Sequence, residues 1–413
     1  MAGLYLITKT NPHILILGAG SDQLKAIKIA QEIGLTVTSI DSNKNAPGAS
    51  ISDFFFNISN RDVNAINKII NTSEIPVDGI FLIGSDIPEV LEEVRKKNNI
   101  KGFSIKEPKV IKDKFLMKER FGKSSIPIPK YKLADNFMDI RSFSKISEKI
   151  IIKPTDSSGS RGVKLIEPKN MPNEELIKLF EDTKSFDSRG MVLIEEFIEG
   201  PQLSTESIIK DNEVYTFGFA DRNYSDTKSL MPSIIENGGI QPSTFFQPMS
   251  QEIDNLIKDI ALSLNISSGV IKGDLVYDGN QVKVIEAAFR LSGGDFSETL
   301  IPISTDFDFI GSAIKLAMEI PCEIPSSISP KRFVANRYFF GEEGEISEIR
   351  VDEKIFKNPW LHKLEFFKQV GDKSSSARSH VDRLGVFIVS ARNKEILEQR
   401  IKKVYESVSI KIN

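Results

Sequence analysis

Between Ile151 and Ile166 the chain reads IIKPTDSSGSRGVKLI, which places Lys153 at the end of an apolar strand and just before a polar loop. The loop, residues 155–162, carries Gly159, Gly162 and four hydroxyl side chains before a second strand leaves it. Backbone N–H groups on such a loop can surround phosphate oxygens while a lysine ammonium neutralises them. It is not a Walker loop, because GK[ST] is absent and a strand follows where a helix would be needed; the kinase triplets HRD and DFG are absent too. Taken alone, the same residues also describe a solvated hairpin.

Two further stretches carry chemistry. The run VLIEEFIEG, residues 192–200, includes Glu195 and Glu196. A strand leaving one lobe for the next can present the Glu195 carbonyl and the Ile198 N–H to an adenine edge, with Phe197 packing beside it. Read alone, an interlobe strand with solvated acids fits these residues better. Downstream, 269–277 and 281–289 read as a hairpin turned by the DGN at 278–280. Alternation puts Lys272 and Asp274 on one face of the first strand, and Glu286, Ala288 and Arg290 on one face of the second. Asp274 opposite Glu286 would gather carboxylates suited to Mg²⁺, a hard ion that bridges protein acids and nucleotide phosphates. A cross-strand pair of acids neutralised by Lys272 and Arg290 is the structural alternative.

A fourth signal is weaker. Gly18-Ala19-Gly20 lies between a strand and a helix, with Asp41 about twenty residues on, as in a dinucleotide-binding fingerprint. Gln23 stands where a third small residue should let the helix pack on the strand, so the turn predicts a Rossmann-like domain rather than an NAD site.

The elements that hold these residues follow from hydrophobic periodicity. His13 to Asn43 reads as strand, glycine turn, amphipathic helix closed by Gly34, and a strand ending at Asp41; 54–59, 63–71 and 79–86 continue the alternation, predicting a parallel sheet with helices on its faces. A basic helix from Lys106 to Phe121 and a proline linker at 124–131 come next. Strands at 150–153, 163–166 and 191–198, with a helix from about 173, predict a small α+β lobe. Strands at 203–209 and 213–220, a helix at 250–264 and the hairpin predict a second, largely antiparallel lobe. After the proline-rich PCEIPSSISP, strands and a closing helix near 393–407 form a candidate third domain.

Composition limits the function classes. With 413 residues, 40% hydrophobic and 27% charged, the chain is a folded protein of two or three domains. Fifty-four Lys and Arg against 57 Asp and Glu leave a net charge of -3, which offers no global field for nucleic acid or an anionic membrane. One cysteine, Cys322, excludes an intrachain disulfide framework, and three histidines leave little for zinc or iron. No apolar run approaches the ~18 residues of a membrane span. MAGLYLITKT lacks a basic stretch followed by a long apolar one, so a cytoplasmic location is expected.

In this order and spacing, the three stretches resemble the ATP-grasp superfamily of carboxylate-amine ligases, and the resemblance covers most of the chain. It implies a multidomain α/β and α+β fold: a Rossmann-like preATP-grasp domain over 1–105, then a two-lobed ATP-grasp fold over 106–320, its small lobe at about 125–197 and its large lobe at about 198–320. A small α+β domain over 321–413 is similar to the C-terminal domain of L-amino acid ligases through GDKSSSARSHVDRLGVFIVSARN. By position, Lys114 in KDKFLMK and Lys153 match the family's phosphate-binding lysines, and Ser158, Gly159 and Ser160 its mobile loop. Glu195, Glu196, Phe197 and Ile198 match the adenine hinge, and Asp274 and Glu286 the Mg²⁺ or Mn²⁺ ligands. Arg290 matches the arginine that holds the transferring phosphate, and Lys272 joins it and Lys153 as a candidate catalytic residue. Gln202 replaces a glutamate that accepts from ribose hydroxyls, and Ala288 an asparagine metal ligand.

The resemblance implies transfer of the ATP γ-phosphate to a carboxylate, giving an acyl phosphate that an amine attacks, with ADP and phosphate as products. Its partners would be small carboxylates and amines, with neither nucleic acid nor membrane, and a homodimer as the expected assembly. An L-amino acid ligase is the leading expectation, and a purine-pathway or biotin-carboxylase-like ligase that carboxylates or formylates is the alternative. A catalytically degenerate ATP-binding regulatory protein is the rival of another class, suggested by Gln202 and Ala288.

Overall fold

A computed structural model describes residues 11–413; the first ten, on which the expectation about a leader rests, lie outside it. The run HILIL forms β1 (His13–Leu17), paired on both edges and buried along its whole length. β2 (Thr36–Ile40), β3 (Phe54–Phe56) and β4 (Gly79–Phe81) complete a four-stranded parallel sheet in the order β3-β2-β1-β4. The helix Ser21–Glu32 makes the first crossover, and Gly34, at φ +93°, lets the chain turn from it toward β2.

The basic stretch at 106–121 is two helices rather than the one expected. Pro108–Lys112 and Lys114–Lys123 meet at Asp113, whose carboxylate caps the second by accepting from the Phe115 and Leu116 N–H groups. The break also lets the Lys114 N–H bond the Thr155 carbonyl at 2.9 Å, which ties the second helix to the glycine loop.

β5 (Tyr131–Ala134), β6 (Ile150–Pro154), β7 (Lys164–Ile166) and β8 (Val192–Glu196) form an antiparallel sheet in the order β5-β8-β6-β7. This small lobe has its own core, including Phe143, Ile152, Leu176 and Phe180. Moving it as a body therefore disrupts little shared apolar packing.

The largest sheet has eight strands. β9 (Gln202–Lys210), β10 (Glu213–Arg222), β11 (Gly239–Gln241), β12 (Gly269–Tyr277) and β13 (Val282–Ala288) come from the large lobe. From the C-terminal part come β14 (Phe333–Phe339), β15 (Gly344–Val351), β16 (Leu361–Phe366), β17 (Lys373–Ser374), β18 (Gly385–Ala391) and β19 (Val408–Ile412). The order β13-β12-β9-β10-β11-β14-β18-β16 carries the sheet across from one part to the other, while β17-β15-β19 forms a separate sheet. The last part thus shares a sheet with the large lobe through Ile240↔Ala335 and Gln241↔Val334, yet packs its own core around Phe387, Leu397 and Val404. β19, which follows the closing helix Lys394–Ser407, was not anticipated from the sequence. The first domain and the large lobe share one core, bridged by the helix Phe309–Ala317 packed against both β4 and β12. Among the described residues no helix is long and apolar enough to cross a membrane.

Candidate functional site

The fourteen residues singled out as catalytic, cofactor-binding or metal-binding all line one cleft of about 620 Å³, walled by the small lobe and the eight-stranded sheet. Its floor is a buried cluster of charge. Glu195 Oε1 lies 2.8 Å from Lys153 Nζ and 3.0 Å from Lys118 Nζ, with all three side chains almost fully buried. Burial works to raise the Glu195 carboxyl, but the two ammonium groups outweigh it and hold the group below its ordinary value. Burial, only partly offset by Glu195, pushes Lys118 down to about 8. Lys114 adds a third cation, 3.3 Å from Glu286, and donates to the Ser157 carbonyl at 2.6 Å.

This geometry changes the role of Glu195. The Phe197 N–H bonds the Lys149 carbonyl at 3.0 Å, so alternation along the antiparallel ladder makes Ile151 and Glu195 a hydrogen-bonded pair. The Glu195 carbonyl is used inside the sheet and its carboxylate bridges two lysines, which corrects the expectation that this carbonyl faces an adenine edge. One residue on, the Glu196 carbonyl makes no hydrogen bond among the described residues, nor does the Ile198 N–H, and both residues line the cleft.

On the facing wall the β12–β13 register pairs Asp274 with Glu286 and Lys272 with Ala288. Asp274 meets Lys272 Nζ at 2.5 Å, Arg222 Nη1 at 3.1 Å and the Ser204 hydroxyl at 2.9 Å. Burial would raise its carboxyl, but Arg222 and Lys272 hold it well below the usual carboxylate range. Arg290 takes no part in that neutralisation. It forms a bidentate pair with Asp86, Nε to Oδ1 at 2.5 Å and Nη2 to Oδ2 at 3.1 Å, which holds Asp86 at about 2 against the effect of burial. Two carboxylates directly opposite each other fit a hard cation, although no third acid joins them among the described residues. A Mg²⁺ held by Asp274 and Glu286 would draw its remaining oxygens from phosphate and water.

The glycine loop takes the left-handed backbone its sequence suggests, with Gly159 at φ +68° and Gly162 at +74°; Ser160 joins them at +59°. It is also held from the C-terminal part. The His380 N–H donates to the Gly159 carbonyl at 3.2 Å, and its ring Nε2 lies 3.3 Å from the Ser160 hydroxyl.

Sequence reasoning missed Asp86, Lys118, Arg222 and His380. Lys118 had a signal, since it follows Lys114 by four residues and so shares its helix face. Asp86 had one too, standing just past β4 at the carboxyl end of a parallel sheet, where open α/β sheets bind ligands. Arg222 and His380 reach the cleft only through tertiary folding.

Known proteins share this architecture. Residues 111–294 match the family model for the ATP-grasp domain, and 337–413 the model for the L-amino acid ligase C-terminal domain 2. The formate-dependent phosphoribosylglycinamide formyltransferase of Methanococcus maripaludis is 26% identical over 196 residues, 45% of this chain and 48% of that protein. The chain spans about half the length of the curated relatives it matches first. The L-amino acid ligase of Bacillus licheniformis superposes with a TM-score of 0.83 over 98% of this chain and 100% of its own, at 18% identity. The biotin carboxylase domain of Hydrogenobacter thermophilus 2-oxoglutarate carboxylase, solved with MgADP and bicarbonate, gives 0.75 at 16% identity, covering 98% and 91%. Residues 111–294 thus form a domain of the ATP-grasp type, and residues 337–413 a C-terminal domain of the L-amino acid ligase type.

Proposed function

We propose that the protein is an ATP-dependent ligase that phosphorylates a carboxylate and joins the acyl phosphate to an amine, releasing ADP and phosphate, with an amino acid as the activated acid. The observation that carries this reading is the convergence of Lys114, Lys153, Arg290 and the Asp274–Glu286 pair on one cleft. Phosphoryl transfer to a carboxylate brings two anions together, so its rate depends on positioning and charge neutralisation more than on covalent catalysis. Lys153 and Lys114 would lie against the phosphates, with the buried Glu195–Lys118 bridge fixing Lys153 in place. Arg290, oriented by Asp86, would hold the transferring group, and Lys272 would keep the Asp274 carboxylate aligned. Mg²⁺ at Asp274 and Glu286 would supply Lewis-acid neutralisation.

The Glu196 carbonyl and Ile198 N–H would read the adenine edge, Phe197 would pack beside it, and Gln202 would accept from the ribose. Ser158, Gly159 and Ser160 would close over the phosphates, and the His380 contact would help keep water from an acyl phosphate that hydrolyses readily. Small carboxylates and amines are the substrates on this reading. A cytoplasmic homodimer is its cellular form, supported as to compartment by the single cysteine.

The similarity to the Methanococcus formyltransferase favours a second reading, a ligase that formylates or carboxylates. An ADP-release screen separates the two. Amino acids, other small carboxylic acids, formate and bicarbonate are each supplied with ATP and Mg²⁺, with and without amines. Release that needs an amino acid supports the first reading, and release that needs formate or bicarbonate supports the second. Tight ATP binding with no ADP from any pair identifies a binding module and removes both.

A further inference from the structure

Strand β14 presents its residues alternately to the two faces of the shared sheet. Asn336 and Tyr338 line the cleft, whereas Arg337 between them lines a second cavity, of about 710 Å³, outside it. Arg337 is 7% exposed. Its Nη1 donates to the Gly239 carbonyl at 2.9 Å and to the Asn336 carbonyl at 2.8 Å, while Nε and Nη2 have no acceptor among the described residues. Burial pushes the guanidinium below its ordinary value; Tyr405 and the acids Glu398, Glu236 and Asp226, all within electrostatic reach, offset that only in part. A buried guanidinium without a carboxylate partner is costly to keep, and its free N–H donors form a fork that suits a ligand carboxylate.

Other walls of the same cavity carry the opposite charge. Asp226 Oδ2 accepts from Asn237 Nδ2 at 2.9 Å but meets no cation among the described residues. Glu398, on the closing helix Lys394–Ser407, lines the cavity and makes neither a hydrogen bond nor an ion pair among the described residues. The Glu236 carboxylate, by contrast, is committed to Arg222, accepting from its Nε at 2.8 Å. Phe339 and Phe340 give the cavity an apolar side. Charges of both signs that line one cavity without reaching each other leave between them a place for a molecule that carries both. Tyr338 borders the cleft as well, and its carbonyl accepts from the Tyr405 hydroxyl at 3.1 Å on the cavity side, so a ligand here adjoins the cleft wall without entering the cleft.

We propose that this cavity binds a small zwitterion, a free amino acid or a short peptide, with its carboxylate on Arg337, its ammonium on Glu398 and Asp226, and its side chain against Phe339 and Phe340. Binding there needs neither nucleotide nor turnover, so the site stands or falls apart from the ligase reading.

The full chain, without nucleotide, is titrated calorimetrically with L-alanine, L-leucine, L-phenylalanine and L-alanyl-L-alanine, and with the carboxamide and the N-acetyl derivative of each. At least one zwitterion should bind about tenfold more tightly than both of its derivatives, as charge-assisted contacts at each end require. Arg337→Gln should erase the gap to the carboxamide. Glu398→Gln should shrink the gap to the N-acetyl derivative by about threefold, the worth of one exposed ion pair. Neither variant should change the affinity of a non-hydrolysable ATP analogue. Tighter binding by the amino acids or by the dipeptide supports the proposal either way and names the source of the zwitterion. A gap that survives its own variant places the ligand in the cleft and overturns the proposal, as does the absence of any gap or a loss of analogue affinity in either variant. An N-acetyl derivative that binds as tightly as its parent also overturns it, since the site would then take any anion. Should Arg337→Gln fail to fold, Glu398→Gln decides, because Glu398 is exposed: an unchanged N-acetyl gap there overturns the proposal. Failure of the ligase reading shows separately, as an absence of ADP release from ATP.

Discussion

The glycine turn at Gly18-Ala19-Gly20 and the glycine loop at 155–162 both follow apolar strands, and of these two the second faces open space. At Gly18-Ala19-Gly20 the protein consumes its own backbone donors: the Ala19 N–H bonds Asp41 Oδ2 at 3.1 Å and the Gly20 N–H bonds Gln23 Oε1 at 2.9 Å. Gln23 is buried and reaches on to the Ile83 carbonyl at 2.7 Å, and a Cβ on Gly18 would stand 2.9 Å from its Cδ. A Cβ on Gly159 in the second loop would meet nothing within 4 Å, and Lys153 and Lys114 border the same cleft. A glycine turn serves phosphate only where the chain has not already supplied acceptors for its N–H groups.

The variant with the largest expected effect is Lys153→Ala, which removes the charge proposed to lie against the phosphates and should lower turnover on the order of 1000-fold, as loss of a preorganised electrostatic contact does. ATP affinity should fall with it, and an unchanged affinity in a folded variant would erase the distinction between the two turns. Next comes Glu286→Gln, expected to lower turnover about 100-fold with little change in melting temperature, because Glu286 is a partly exposed metal-ligand candidate. Asp274→Asn is a less clean probe than the sequence suggested. It deprives both Arg222 and Lys272 of a shared buried anion, so a stability loss of about 3 kcal/mol should accompany the loss of rate.

A smaller effect is expected on pH dependence. Glu206 is fully buried beside Ser292, whose N–H it accepts at 2.8 Å, and burial pushes it up to about 7. A carboxyl raised in the folded state contributes stability at low pH that is lost as pH rises through the folded value. Between pH 5 and 8 the wild type should therefore lose about 2 kcal/mol relative to Glu206→Gln, read from denaturant titrations; parallel curves would contradict this. The smallest change belongs to the first turn. Gly20 has ordinary φ, so Gly20→Ala should fold and bind ATP as the wild type does, and a tenfold loss of affinity would show that this turn also holds nucleotide.

Local pattern made much of this legible, and long-range charge did not. Alternation along 269–277 and 281–289 foretold which side chains share a face, but the pairing of Asp274 with Glu286 also needs the register shift between Asp274 and Leu275, which regular alternation does not contain. At Gln23 the sequence predicted a tight turn in a Rossmann-like domain, whereas the hydrogen bond by which its side chain takes up the Gly20 N–H was not legible there. The split at Asp113 was readable in principle from a capping residue between two helix-forming stretches. The Arg290–Asp86 pair joins residues 204 apart in sequence, and Arg383 meets Glu236 and Tyr338 only after β14 and β18 join the large lobe's sheet. No window of sequence carries such a contact, since each partner alone reads as an ordinary surface charge. The sheet shared across the expected boundary near 321 was hidden for the same reason, as strand order is a tertiary property.

The central claim is chemical, that a carboxylate attacks the γ-phosphorus and an amine then displaces phosphate from the acyl phosphate. Attack by a carboxylate oxygen transfers that oxygen to the phosphate that later leaves. With an ¹⁸O-labelled acid identified by the ADP-release screen, mass spectrometry of the products should find one labelled oxygen in inorganic phosphate and ADP formed in step with the amide. Label in AMP, with pyrophosphate as the co-product, would contradict the account and leave the fold standing.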